Sequence, residues 1–408
     1  MSTPSSAPGR AAASGSTISL VGLFVVALAL RPQLSAVGPL AQGMIDDLGT
    51  THAELGLLTA VPVLCMGLFA PFGPPIARWV GARGGIAVSV AALIAFGLAR
   101  ALAPSFPALL VVTLGVGVMT AIVGPMLPMF VRGRLPDRMV AGTASYAAGT
   151  NLGAALATAL AVPLTVVPGD WRGSLVALSA ASLVSLGAWL VLSRPRSADV
   201  AHPAEPRVRP TISIPHLPLG RLVAWAIGLL FGLQSWLFYG TTAWMASVYV
   251  EQGWPKEQAG LLLTVVLFAS LSGITVVPWL SRRGGTRRAI LAGAAVSSAT
   301  GLLGICLVPG PAVPWAILLG LGLGSTFTLV LTLPTDISAD PREAGGAAAL
   351  MFLVGYLLAS LAPFVMGAVR DATGSFAASL WLLVAIAVAM VPLGWSMSPQ
   401  RLHPATRR

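Results

Sequence analysis

Charge is scarce in this sequence. Only 9% of its 408 residues are Asp, Glu, Lys or Arg, where a soluble chain carries about a quarter. That shortage excludes an ordinary soluble globule. Cysteine is nearly missing: Cys65 and Cys306 are the two present. They lie far apart, each inside an apolar run, which argues against a disulfide framework or a thiolate metal site and leaves them as packing residues. The four histidines, His52, His202, His216 and His403, fall in connectors or tails, so no histidine relay across an apolar core is expected. No phosphate-cradling Walker loop appears, which removes ATP as an energy source. No nucleophile–base pair or metal-ligand set stands in the apolar runs, as an enzyme would need. No cofactor or metal is expected.

What the chain has is apolar length. Hydrophobic residues make up 56% of it, in runs that recur from residue 17 to residue 397. Many runs reach the ~20 residues that carry a helix across a bilayer; barrel strands would show ~10-residue alternating segments instead. The expectation is an all-α integral membrane protein with twelve transmembrane helices, the first near 17–43. The polar leader MSTPSSAPGRAAASGST is followed by no small-residue cleavage site, so the first helix is read as retained. The organisation expected is a disordered N-terminal tail (1–16), a six-helix bundle (17–193), an extended Pro-rich linker (194–220), a second six-helix bundle (221–397) and a C-terminal tail (398–408).

The halves echo each other. With residues 46–83 shifted by 204, Gly56-Leu57-Leu58 meets Gly260-Leu261-Leu262, Pro74 meets Pro278, Arg78 meets Arg282 and Arg83 meets Arg287. Two such halves in parallel orientation place a substrate site between them near the membrane midplane. The net charge of +11 does not point to nucleic acid, because the basic residues are spread through short connectors. With both termini in the cytoplasm, all but five of the 24 Lys and Arg lie on that side, as the positive-inside rule requires. Arg100, Arg172, Lys256 and Arg370 fall outside, and Arg31 falls within a span.

Arg31 is the residue that needs a reason. It lies about 21 Å along the first helix at 1.5 Å per residue, too deep to snorkel easily. A central Arg costs roughly 2.5–3.5 kcal/mol on insertion scales. Such a cation needs an anionic partner or a water-filled cavity. A substrate oxyanion held through paired hydrogen bonds is one explanation; the other is an Arg bonded to backbone carbonyls of a broken helix, or paired with Asp336. Pro32, directly behind it, removes the bond to the Leu28 carbonyl and breaks the helix. Breaks at that depth persist where backbone lines a cavity or is buried in protein; a kink needed only for shape is the other reading.

Further substrate-site candidates come from GLQSWLFYGTTAWM in the seventh span, with Gln234, Tyr239 and Trp244, and from SYAAGTNLGAALA in the fifth, with Tyr146 and Asn151. Each has a plain alternative as interhelical bonding or interfacial anchoring. Pro125 and Pro128 in the fourth span and Pro334 in the tenth are candidate hinges. Arg78, Arg83 and Arg282 are candidate gating residues in the repeated loop.

At LRPQLSAVGPL followed by AELGLLTAVPVLCMGLFAP (53–71), the chain resembles the cyanate and 2-nitroimidazole transporter branch of the major facilitator superfamily. The resemblance extends to DWRGSLVAL (170–178), FGLQSWLFYGTTAWM (231–245), EQAGLLLTVV (257–266) and GYLLASLAPFVMGAVRDATGSF (355–376). It implies a major facilitator fold in a bacterial cytoplasmic membrane, normally monomeric. It also implies alternating-access transport of a small anion or small planar polar compound, cyanate-like or nitro-heterocycle-like, by a secondary active or facilitative carrier. The superfamily's usual Asp after the second span is replaced by Ala77 in GPPIARWVGARGG (73–85), which puts the Asp-based latch in doubt but not the fold. The alternative within the fold is a multidrug or antimicrobial exporter; a membrane-embedded enzyme or signalling protein is the reading from another class. With Asp336 the nearest thing to a buried carboxylate, coupling by exchange, facilitated flux or a proton on the substrate itself is expected.

Overall fold

The computed structural model describes residues 8–166, 170–194, 217–308, 310, 312–338 and 341–397. Twelve helical spans run through them: α1 (Thr17–Leu48), α2 (His52–Val80), α3 (Ala82–Ala101), α4 (Phe106–Arg134), α5 (Met139–Ala161), α6 (Trp171–Leu192), α7 (Leu222–Glu251), α8 (Lys256–Arg282), α9 (Arg287–Leu307), α10 (Ala312–Asp336), α11 (Glu343–Thr373) and α12 (Ala377–Ser396). They form two bundles of six, α1–α6 and α7–α12. The helix of α1 reaches back to Pro8, so part of the expected 1–16 tail is helical. Residues 1–7, the bulk of the linker (195–216) and residues 398–408 lie outside the described residues. α1 also runs past residue 43 to Leu48, because a short amphipathic end carries the helix on to a left-handed Gly49, which closes it as a C-cap.

Eleven of the twelve are long and apolar enough to cross a bilayer among the described residues. α5 is too polar for that measure, and its packing explains why. Ser145 donates to the Leu20 carbonyl at 2.6 Å; Thr158 donates to the Ala154 carbonyl of its own helix at 2.9 Å, with the Ser35 carbonyl of α1 farther off at 3.4 Å. Gly153 presses against the Leu28 carbonyl so closely that a Cβ would collide with it. Ser145 and Gly153 of α5 are spent on the backbone of α1, as in other close-packed membrane helices, while Thr150, Asn151 and Thr158 return to carbonyls of α5 itself.

At the face that carries the chain ends, each bundle is tied by an arginine. Arg83, at the start of α3, donates to Ser193 Oγ and to the Leu190 carbonyl, both at 2.9 Å, and so holds the end of α6. Its counterpart in the repeat, Arg287, pairs instead with Asp336 at the end of α10. The two bundles meet mainly through α1 on α7, α2 on α11 and α5 on α8.

Replacing Gly153 by Leu forces α5 off α1. Overpacking of this kind costs about 1–3 kcal/mol. A fall in apparent Tm of several degrees is expected in a thermal-unfolding scan of purified protein, while Leu156→Ala, on an exposed stretch of the same helix, leaves it within about 1 °C.

Candidate functional site

The first helix stops where the sequence says it should. After Leu28 the chain leaves the α-helix, with Ala29 and Leu30 bonding back only three residues, and resumes at Pro32. Pro32 has no N–H for the Leu28 carbonyl, and that oxygen is covered by the Cα of Gly153, a weak C–H donor. Arg31 occupies the N-cap of the short helix Pro32–Ser35, and its carbonyl accepts from Leu34 and Ser35. The break therefore serves both to interrupt α1 and to turn the Arg31 side chain out of the first bundle.

The guanidinium crosses to the second bundle. It faces the hydroxyls of Tyr239 on α7 and Tyr356 on α11. The Tyr239 hydroxyl donates to Met66 Sδ on α2 at 3.4 Å, which leaves its lone pairs to the cation. Leu34, Val63, Met66, Tyr239 and Ala359 form a small apolar cluster around this point, with Phe238 and Tyr356 packed on it. Four helices from both bundles thus meet at one side chain.

Beyond Tyr356 extends an aromatic wall. Phe231 stands edge-on to Tyr356 and to Phe352, each at 5.3 Å, and Phe352 stacks on Tyr356 at 5.8 Å. Arg31, Phe238, Phe352 and Tyr356 all keep part of their surface accessible, whereas the groups behind them are buried. No carboxylate among the described residues contacts Arg31. The suggested counter-ion, Asp336, is held by Arg287 at the chain-end face. A guanidinium, two phenols and a set of π-faces can bind an oxyanion at one end and a flat apolar body at the other.

The sequence matches the Major Facilitator Superfamily profile over residues 23–363. The chain belongs to the major facilitator superfamily. It is 30% identical over 358 residues to the cyanate transport protein CynX of Escherichia coli K12, covering 88% of this chain and 91% of that one. It is 28% identical over 375 residues to the 2-nitroimidazole transporter of the same organism, covering 92% and 94%. Among solved structures, the fold resembles a D-xylose-proton symporter with a TM-score of 0.72 at 14% identity, covering 94% of this chain and 97% of that one. It also resembles an inward-facing, unoccupied bacterial homolog of the lysosomal transporter Spinster, with a TM-score of 0.71 at 15% identity, covering 95% and 97%. The protein is a multi-pass membrane transporter and not an enzyme.

Of the residues singled out in the transporter's sequence, Arg31 and Tyr239 come together and the others do not join them. Gln234 is 2% exposed; its amide donates to the Leu323 carbonyl of α10 at 3.3 Å and its oxygen accepts from Ser235. It bonds helices within the second bundle. Trp244, 1% exposed, donates to the Pro363 carbonyl of α11 at 2.8 Å and is wedged against His52 and Phe376. It is neither a lining residue nor a lipid anchor. Tyr146 packs on the first bundle's own core and bonds Thr143. Asn151 returns its amide to the Ala147 carbonyl at 2.9 Å.

Among the hinge and gate candidates, Pro334 lies just after an interruption in α10, while α4 continues through Pro125 and Pro128. Among the described residues Arg78 reaches the Pro74 carbonyl at 3.5 Å, Arg83 braces its own bundle, and Arg282 is exposed. Tyr356 and Met66 had no separate signal in the sequence, since each lies inside an apolar run.

One contact between bundles was not foreseen. His52, expected in a connector, is the first residue of α2. The Asp371 carboxylate at the end of α11 accepts from the His52 and Ala53 amides at 3.2 and 2.8 Å, and contacts His52 Nδ1 at 2.7 Å. A carboxylate from one bundle thus caps a helix of the other. Gly367, one turn away, lets α11 approach the His52 carbonyl. These contacts close the face opposite the chain ends.

Asp371→Ala is expected to loosen that closure. Charged hydrogen bonds of this kind contribute about 1.5–3 kcal/mol. In a background with Cys65 and Cys306 replaced by alanine, a cysteine introduced at Thr242 should react with a water-soluble maleimide roughly tenfold faster in Asp371→Ala than in the unaltered latch.

Proposed function

We propose that the transporter carries a small planar compound with an anionic or electron-rich oxygen or nitrogen end, cyanate-like or nitro-heterocycle-like, by alternating access, and that Arg31 is its anchor. The observation that carries this reading is the Arg31 guanidinium: partly accessible, aimed between the bundles, faced by two phenols and touched by no carboxylate. Burying a cation without a counter-charge is unfavourable, so an anionic ligand supplies what the site lacks. The names of the relatives point to the same chemistry. The wall of Phe231, Phe352 and Tyr356 favours a flat ring over a linear ion, since stacked π-faces add contact for a ring and little for three atoms in a row.

The orientation we infer places both termini in the cytoplasm, from the basic connectors at the chain-end face. The closed face with His52 and Asp371 is then the outer one, and the molecule stands inward-facing. Transport would alternate this closure with one at the chain-end face, where Pro334 and the repeated loop arginines sit. Asp336, engaged by Arg287, takes no part in carrying protons in this scheme.

Uptake of labelled cyanate and 2-nitroimidazole into proteoliposomes tests the proposal. Arg31→Ala should reduce saturable uptake by about a hundredfold, the loss of roughly 3 kcal/mol from a buried charged pair, and Arg31→Lys should retain part of it. Unchanged saturable uptake in Arg31→Ala removes the anchor role. Phe352→Ala should weaken the nitroimidazole more than cyanate; an equal effect on both speaks against a stacking wall. Asp336→Asn should leave the pH profile of uptake as it is, and loss of acid-driven uptake in that variant overturns the coupling scheme.

A further inference from the structure

A second arginine stands behind the break. Arg100, near the end of α3, reads in the sequence as a residue of an outer connector, yet it is 1% exposed. Its Nη1 donates to the main-chain carbonyl of Gln33 at 2.6 Å. Nε and Nη2 find no acceptor among the described residues, and no carboxylate touches it. A buried guanidinium with one bond is a costly feature, and its single bond falls on Gln33, in the short helix that directly follows the break.

The same residue, Gln33, is gripped a second time. Its side-chain amide, 3% exposed, donates to Ser179 Oγ of α6 at 2.8 Å. That amide fits because position 97, one turn before Arg100 on α3, is glycine; a Cβ there would stand 2.6 Å from both the Gln33 amide nitrogen and Ser179 Oγ. A helix broken by proline has lost the regular ladder that would otherwise fix its direction. Here α3 and α6 hold the carbonyl and the side chain of one residue, and that clamp replaces the ladder.

We propose that Arg100, with Gly97, Gln33 and Ser179, is a positioning device that holds the break of α1 so that Arg31 points between the bundles. Arg100 touches no substrate; it acts through the backbone of Gln33. The proposal rests on the reading of Arg31 as anchor but makes a separate statement about the segment 29–36, which can be measured without any substrate.

The experiment uses the full chain in lipid nanodiscs, as wild type, Arg100→Met, Arg100→Lys and Gly97→Ala. Hydrogen exchange of the peptide covering 29–36 should quicken at least tenfold in Arg100→Met and in Gly97→Ala, with peptides of the second bundle unchanged. Arg100→Lys, which keeps a donor for the Gln33 carbonyl, should stay within about threefold of wild type. In proteoliposomes, KM for cyanate or 2-nitroimidazole should rise about tenfold in Arg100→Met with maximal rate kept within twofold, and Arg100→Lys should recover most of the affinity. Gly97→Ala keeps the charge of Arg100, so an effect there separates geometry from electrostatics. Wild-type exchange across 29–36 in a folded Arg100→Met or Gly97→Ala overturns the proposal. If exchange quickens but wild type carries neither probe, the positioning role stands and the substrate class proposed above falls.

Discussion

The structure is organised around the cation that faces both bundles, Arg31. Arg31 sits at bilayer depth in a helix interrupted so that its side chain can leave one bundle and meet the other. Everything near it serves either to permit that position or to make it useful. Pro32 withdraws an N–H, Gly153 shields the carbonyl so exposed, and the phenols of Tyr239 and Tyr356 solvate the charge without cancelling it. A carboxylate in their place would have neutralised the site and left nothing for a ligand to do.

Polar groups at this depth divide into two kinds. Most are consumed locally: Gln234 on α10, Asn151 and Thr158 on their own helix, Ser145 on α1. In a medium without water each must find a protein partner, so a polar side chain in a span is more often a fastening than a ligand. A few instead keep part of their surface accessible between the bundles. Arg31 belongs to that second kind, and Arg100 is unusual in being under-satisfied and sealed at once.

The fold was legible because it is written in run lengths and in a repeat, both properties of many residues together. Of the candidate site, the sequence singled out Arg31 and Tyr239, the two candidates that the structure brings together. Arg31 stands out by charge, against a background that forbids it. Gln234 and Trp244 stand out by type as well, but type does not say which way a helical residue faces, and a rotation of one position along the helix turns a lining group into a fastening. His52 and Asp371 lie in sequence among loop residues of no special pattern; they meet only because α2 and α11 are brought side by side across 319 positions of chain. The repeat misled in one respect. Arg83 and Arg287 align, yet the first grips a hydroxyl and a carbonyl while the second grips a carboxylate, so symmetry of backbone did not carry symmetry of partner.

The polarity of α5 bears on how the chain is made. A segment with this many hydroxyls, glycines and an asparagine gains little by partitioning into hydrocarbon on its own. Packing on α1 favours it, with the Leu20 carbonyl accepting from Ser145 and the Leu28 carbonyl lying against Gly153. Because α1 precedes α5 in the chain, it offers a surface on which the later, reluctant helix can be laid.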